Sequence, residues 1–290
     1  MPRLSMRGAA AAALLLFLAI AQPAVAQGHG RGLGRGKHNQ PQPEPENPIP
    51  GTGVRHFGTW LDDATLLPPW KGWMTFGVGY WRSTFGHQWD APSIDAGMGI
   101  SRRLQIAITA PLSRVRYADG TSIRGLGDTY VAAKIGLIAP QKGRPYGLAV
   151  VPVLEYLSSG SVQEGDGRLH WGLPVAFEWR FQALRAYGSA GYFSRGAVFG
   201  AGALEVPVTN KLTLTGVLSH SRSLEEDLLS DALELSRTRW DLAGSASYTV
   251  KSATVFATLG RTISRLDENG TSLVVTVGAS GGFQGRRARR

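Results

Sequence analysis

The chain has no cysteine in its 290 residues. That absence excludes disulfide scaffolds, thiol catalysis and cysteine-held zinc or iron–sulfur sites together. Charge is sparse as well: 18% of residues are charged, against 43% hydrophobic. Beyond the N-terminus no apolar run approaches the ~18 residues that a membrane-spanning helix requires. Long helices of any kind are disfavoured by 38 glycines spread along the chain, since each interior glycine costs a helix about 1 kcal/mol. Neither a Walker-type nor a dinucleotide-binding glycine motif occurs, and pairs such as Gly97-Met98-Gly99 read as close packing. A barrel that crosses a membrane with strands survives every one of these exclusions.

What is present begins with an export signal. Arg3 and Arg7 supply a basic start, Ala9 to Ile20 an apolar core, and Ala24-Val25-Ala26 a small-residue cleavage site. Residues 1–26 are therefore read as a signal peptide, which carries the chain past the inner membrane of a bacterium. Residues 27–59 read as a disordered periplasmic tail, rich first in Gly and Arg (Gly28 to Gly36) and then in proline (Pro41 to Pro50). His29 and His38 within it read as solvated, not as metal ligands.

From Gly72 onward the hydrophobic period is two. Trp171, Leu173, Val175, Phe177, Trp179 and Phe181 alternate with His170, Gly172, Pro174, Ala176, Glu178 and Arg180. Twelve such runs stand near 72–82, 91–100, 103–113, 127–138, 145–157, 169–181, 184–193, 196–206, 211–221, 237–249, 252–263 and 271–283. Most have 10–13 residues, which fits the ~9–11 of a tilted membrane strand better than the ~5–6 of a soluble one. Connections after even-numbered runs are short, as at Ser101-Arg102 and Lys251. Those after odd-numbered runs are mostly long and polar: Ser83 to Asp90, Arg114 to Leu126, Ser158 to Arg168, Ser223 to Ser236 and Ser264 to Gly270. Short periplasmic turns and longer outer loops are the pattern of outer-membrane barrels.

The charges follow the same parity. Asp95, Asp128, Lys134, Glu155, Glu178, Arg180, Arg185, Glu205 and Asp241 all fall on the less apolar side of their runs. A soluble β-sandwich or lipocalin-like barrel would turn that side to water; in a membrane barrel it lines the lumen. Tyr80, Tyr156, Trp171, Trp179, Phe181, Tyr192, Trp240 and Tyr248 lie near strand ends on the opposite, lipid parity, as interfacial aromatics do. On this parity an arginine at Val175 should damage assembly more than one at Ala176.

The stretch Gly125-Leu126-Gly127-Asp128, continued by Thr129 to Leu137, resembles a strand opening in a bacterial family of outer-membrane transporters linked to the meta-cleavage pathway of phenol degradation. Asp62 to Pro69 is similar to that family's segment ahead of the first strand. The resemblance spans roughly Trp60 to Phe283. It implies a transport barrel with no catalytic residues to carry over. The chain departs from the pattern in its N-terminal tail and in the basic C-terminal tail of residues 284–290, which places Phe283 short of the end.

Catalytic constellations are not found. In His220-Ser221-Arg222 adjacent residues point to opposite faces, so the histidine cannot activate the hydroxyl. Asp62-Asp63, ahead of the first run on the periplasmic side, reads as a cap or turn. Glu164 to Gly167 and Asp267 to Gly270 read as turns as well. The net charge of +10 comes with no aromatic-basic patch on one element, so nucleic acid is not implied.

The expectation is an all-β chain: a transmembrane antiparallel β-barrel of about twelve strands over residues 60–283, with both termini periplasmic. It belongs in the outer membrane of a Gram-negative-type bacterium, partnered by outer-membrane lipid, the barrel-assembly machinery and a small-molecule solute, aromatic or hydrophobic solutes included. No enzyme activity, cofactor or metal is expected. The nine charged residues line the lumen, where mixed signs make a polar path, and Asp62 to Pro69 can obstruct it. The alternative is a non-conducting structural or adhesion barrel that binds an envelope component.

Overall fold

The computed structural model describes residues 54–56, 59–84, 86–141, 143–158, 167–181, 184–224, 236–266 and 270–284. The signal segment, most of the N-terminal tail, the C-terminal basic tail, Glu164 to Asp166 and Asp267 to Asn269 lie outside them. Among the described residues there is no helix.

Two short strands come first, β1 (Val54–His56) and β2 (Thr59–Leu61), paired as an antiparallel hairpin in residues that the sequence assigns largely to the tail. The wall follows: β3 (Lys71–Ser83), β4 (Gly86–Gly99), β5 (Leu104–Tyr117), β6 (Ser122–Leu126), β7 (Thr129–Ile138), β8 (Tyr146–Val150) and β9 (Val153–Tyr156). It continues with β10 (Leu169–Arg180), β11 (Arg185–Phe193), β12 (Ala197–Pro207), β13 (Leu212–Ser223), β14 (Thr238–Val250), β15 (Ala253–Thr262) and β16 (Thr271–Gln284). Neighbours in the wall pair antiparallel, and β16 pairs back onto β3 from Thr271↔Ser83 to Gln284↔Lys71. β6 and β7 are two parts of one wall strand, and so are β8 and β9. Counted that way, the molecule is a closed antiparallel barrel of twelve strands.

The β8–β9 break falls at Val151-Pro152, because proline cannot donate to a ladder. The backbone bonds carry on around it: Ala133 N donates to Pro152 O at 3.0 Å and Val151 N to Pro174 O at 2.8 Å.

Two of the expected long loops are instead strand. β4 begins at Gly86, and β5 runs to Tyr117 and returns through β6, so Ser83 to Asp90 and Arg114 to Leu126 are mostly hairpin. We refer to the side with the short connections as the turn end and to the other as the loop end.

The wall is apolar outward. Along β10, Trp171, Leu173, Val175, Phe177 and Trp179 are each 40–50% exposed, while Gly172, Pro174, Ala176 and Glu178 between them are buried. An apolar face this large would not be stable in water. Aromatic rings gather at its two margins. Toward the loop end Tyr80 meets Trp89 at 4.7 Å and Trp171 meets Tyr192 at 5.8 Å. Toward the turn end Trp179 meets Tyr146 at 6.1 Å and Phe181 at 5.8 Å. The eight positions from Trp171 to Trp179 span about 26 Å of strand, or about 20 Å along the axis at a tilt of ~40°. That approaches the thickness of a bilayer core.

The interior is not hollow. Trp60, Leu61, Asp62, Asp63, Ala64 and Leu67 are buried inside the wall. Trp60 packs among Tyr130, Ala149, Val151, Val153, Ala176, Phe193 and Phe199, and Leu61 among Ala201, Ala203, Val217, Ala243 and Val274. Ala176 therefore faces a packed core, and an arginine there would be as disruptive as one at Val175. The inward parity is right; the expectation of tolerance is wrong, because the lumen at that height is already occupied.

Candidate functional site

The inserted segment, residues 59–70, enters the lumen beside β11, β12 and β13 and leaves at the turn end, where it becomes β3. Its seat is made by residues that lack side chains. A Cβ on Gly99 would lie 2.4 Å from Pro68 O, and one on Gly136 would lie 2.7 Å from Leu66 Cδ1. Gly147 leaves room for the Ala64 methyl in the same way. Trp70 N donates to Gly99 O at 2.8 Å and Leu67 N to Gln105 Oε1 at 2.9 Å. Trp70 itself has φ of 67°, in the left-handed region that an indole side chain rarely adopts.

Charge pins the middle of the segment. Lys134 on β7 reaches Asp62 Oδ1 at 2.6 Å and Asp63 Oδ1 at 3.0 Å, and donates to Thr65 O at 3.2 Å. Arg185 on β11 pairs with Asp63, with Glu178 at 2.9 Å and with Glu205 at 3.3 Å. Thr65 Oγ1 donates to Glu178 Oε2 at 2.5 Å and accepts from Arg180 Nη2 at 2.6 Å. Asp62-Asp63 is thus no periplasmic cap. It lies inside the barrel, buried and ion-paired, and its nearest partners are about 70 and 120 residues away in sequence.

The two carboxyls are set differently. Burial pushes Asp62 up to about 6, with Lys134 opposing and the charge of Asp63 adding. Burial also raises Asp63, but Lys134 and Arg185 outweigh it and hold that carboxyl below the usual range.

The nine charged residues read from the sequence divide into three groups. Lys134, Glu178, Arg180, Arg185 and Glu205 form the cluster beneath the segment. Asp95, Asp128, Arg185 and Glu205 border an open cavity, described below. Glu155 and Asp241 sit in separate buried pairings: Glu155 with Tyr130 at 3.1 Å and Arg195 at 3.3 Å, and Asp241 with Arg239 at 2.8 Å and Thr262 at 2.6 Å. Asp128 also accepts from Ser158 N at 2.8 Å. The expectation that Asp62 to Pro69 can obstruct the lumen holds, since Asp62, Asp63, Ala64 and Leu67 are buried there. Sequence reading missed the partners of Asp62, Asp63 and Thr65 on the wall, and the parts played by Gln105 and Arg239. One signal was available: Lys134 is an inward lysine that needs a carboxylate. Its partner directly across on β5 is the neutral Gln105, and the inward Glu155 on β9 lies opposite Tyr130, not opposite Lys134.

Alongside the segment, against β3, β4, β5 and β12 to β16, the lumen stays open as a cavity of about 740 Å³. It is bordered at the loop end by Tyr117, Arg239 and Thr271, and at the turn end by Thr75, Ser247 and Ser280. Serine and threonine are the most frequent residue types along its border, beside apolar surface, and Asp90, Asp95, Asp128, Glu205, Arg82, Arg185 and Arg239 also stand there. Chemically this wall offers hydrogen bonds and a mixed field. His220 meets Trp240 at 4.4 Å, with the rings tilted by 40°, on the outer face. Among the described residues no group of His, Asp and Glu is arranged to hold a metal.

No family model and no curated protein matches the sequence. In fold the chain is similar to the NanC porin, with a TM-score of 0.54 at 10% identity, covering 72% of this chain and 98% of that one. It is also similar to the KdgM porin (0.50, 11%, 72% and 99%), and to an outer-membrane channel from Pseudomonas putida F1 (0.55, 13%, 76% and 98%). At these identities the likeness is one of fold. It supports the outer-membrane barrel of the sequence resemblance, while the link to phenol degradation finds no counterpart in it.

Proposed function

We propose that the chain is an outer-membrane channel that lets small polar solutes pass along the hydroxyl-lined side of its lumen. The observation that carries this reading is the cavity, because its border includes residues from both ends of the wall strands. The turn end is then periplasmic, the loop end faces outward, and residues 1–26 direct export. Hydroxyls can exchange hydrogen bonds with a solute in transit without holding it, and the presence of both acids and arginines on the border leaves the field without one strong sign.

A second reading has an observation of its own. The inserted segment fills the other side of the lumen, so a barrel that never conducts, and serves as a structural or adhesion scaffold, is consistent with it. Single-channel recording of the full-length protein in planar bilayers separates the two. Discrete conductance steps, with swelling of liposomes in small sugars, support the channel; silent bilayers containing correctly folded barrel support the scaffold.

A further inference from the structure

Above the apolar belt, on the outward face of the β4–β5–β6 extension, stand three exposed arginines: Arg114 and Arg116 on β5, and Arg124 on β6. They continue the outward parity of Ile106, Ile108 and Leu112. None of the three has an ion-pair partner among the described residues. Arg114 lies directly opposite Arg124, and on its other side opposite Trp89. Arg116 lies opposite Ser122 and His87.

Like charges directly opposed across an antiparallel pair, about 4.5–5.5 Å apart at Cβ, destabilise it. Among the described residues no acid relieves this repulsion. Asp90 points inward and accepts from Trp81 at 3.0 Å and Gln88 at 2.8 Å. Asp119, at the hairpin tip, accepts from Thr121 N at 2.8 Å and Oγ1 at 2.6 Å. Immediately below the arginines, Leu112 and Leu126 oppose each other and are 51% and 49% exposed. From the belt outward the surface therefore reads acyl-compatible leucines, then a rung that holds an interfacial tryptophan beside two guanidinium groups.

We propose that this face binds a phosphorylated glycolipid of the outer leaflet, its phosphate bridging Arg114 and Arg124 and its acyl chains lying on Leu112 and Leu126. Guanidinium groups take phosphate oxygens in pairs, and an anion between the two arginines removes their repulsion. A free phosphate would meet the same arginines but gain nothing from the leucines beneath, which is why the lipid is the fitting occupant. The inference rests on the outer-membrane reading above.

The test uses the full-length protein in detergent, its folding checked by heat-dependent migration on gels. It is titrated with bisphosphorylated lipid A and with the dephosphorylated lipid, and binding is followed by native mass spectrometry. The phosphorylated lipid should bind at least tenfold more tightly. The combined Arg114→Gln, Arg116→Gln, Arg124→Gln variant should lose that preference, whereas Arg102→Gln with Arg103→Gln at the turn end should keep it. Equal affinity for the two lipids, or a triple variant that binds like the parent, would overturn the proposal. Should the triple variant fail to fold, Arg124→Gln alone decides: a severalfold loss supports the site and an unchanged preference refutes it. A chain that stays in buffer without detergent would instead refute the membrane reading itself.

Discussion

Lys134→Met tests whether charge holds the inserted segment in place. The substitution keeps roughly the same volume and removes the cation that Asp62 and Asp63 share. Removing one partner of a buried ion pair costs about 3–5 kcal/mol. Asp63 retains Arg185, and Asp62, already raised to about 6, can take a proton at neutral pH instead of remaining charged and unpaired. The cost should therefore sit near the lower bound, about 3 kcal/mol. At tenfold per 1.4 kcal/mol, the unseated fraction rises roughly a hundredfold. Because the chain contains no cysteine, Ala64→Cys introduces a unique thiol at a position that is fully buried when the segment is seated. Its maleimide labelling should accelerate about a hundredfold when Lys134→Met is added, and bilayer recordings should show more frequent large openings. Identical labelling rates and traces, in barrels that migrate as folded, would refute the claim that these ion pairs seat the segment.

Acidification should favour the seated segment. Asp62 binds its proton more tightly seated, near 6, than free, near 3.8, so lowering the pH from 7 to 5 should favour the seated state by about tenfold. Asp63, held low, loses its contribution only below the ordinary carboxylate range. Large openings should thus become rarer at pH 5 than at pH 7, and Asp62→Asn should flatten the dependence; more openings at pH 5 would reverse the sign of the argument. For register, Val175→Arg places charge on the apolar belt at about 2–4 kcal/mol near mid-height, whereas Ser245→Arg enters the open cavity; heat-modifiable gels should show the first depleted and the second folded. Reversing Asp95 to lysine, at the cavity border, should shift reversal potentials toward anions in 0.1 M salt and much less in 1 M, where the screening length falls from about 10 to about 3 Å.

The wall was legible because a membrane imposes its chemistry on every second residue. β10 shows this most plainly, and the twelve runs match the observed strands within a few positions apart from the loop-end extensions. Those were missed for a physical reason. Past Leu112 the outward residues of β5 are Arg114 and Arg116, so the apolar period stops at the edge of the belt although the ladder goes on. The interior was legible in parity but not in partnership. Glu178 and Arg185 can be placed inward from their neighbours, yet what they hold is Thr65 and Asp63, more than 110 residues away. A short segment with acids beside Trp60 and Leu61 has the composition of a turn, and only the shape of the lumen makes it a core. The seat at Gly99, Gly136 and Gly147 was hidden among many other glycines, all with the same sequence signature.

The β3–β16 seam sets the order in which such a molecule can form. The Thr75 and Ser280 hydroxyls meet across it at 2.7 Å, although they lie 205 residues apart. Bringing those ends together carries a chain-entropy penalty of about 4.7 kcal/mol, against about 2 kcal/mol for a ten-residue hairpin. Every other junction in the wall joins neighbours in the chain, so local hairpins can form and dissolve cheaply while the ring is still open. Until it closes, β3 and β16 are bare edges with unspent hydrogen bonds, open to pairing with another chain. Phe283, whose ring covers Gly72 across that junction, is among the last contacts that can form. Assembly is thereby nearly all-or-none: a defect along β16 should yield open, aggregation-prone sheets and not a loosened barrel.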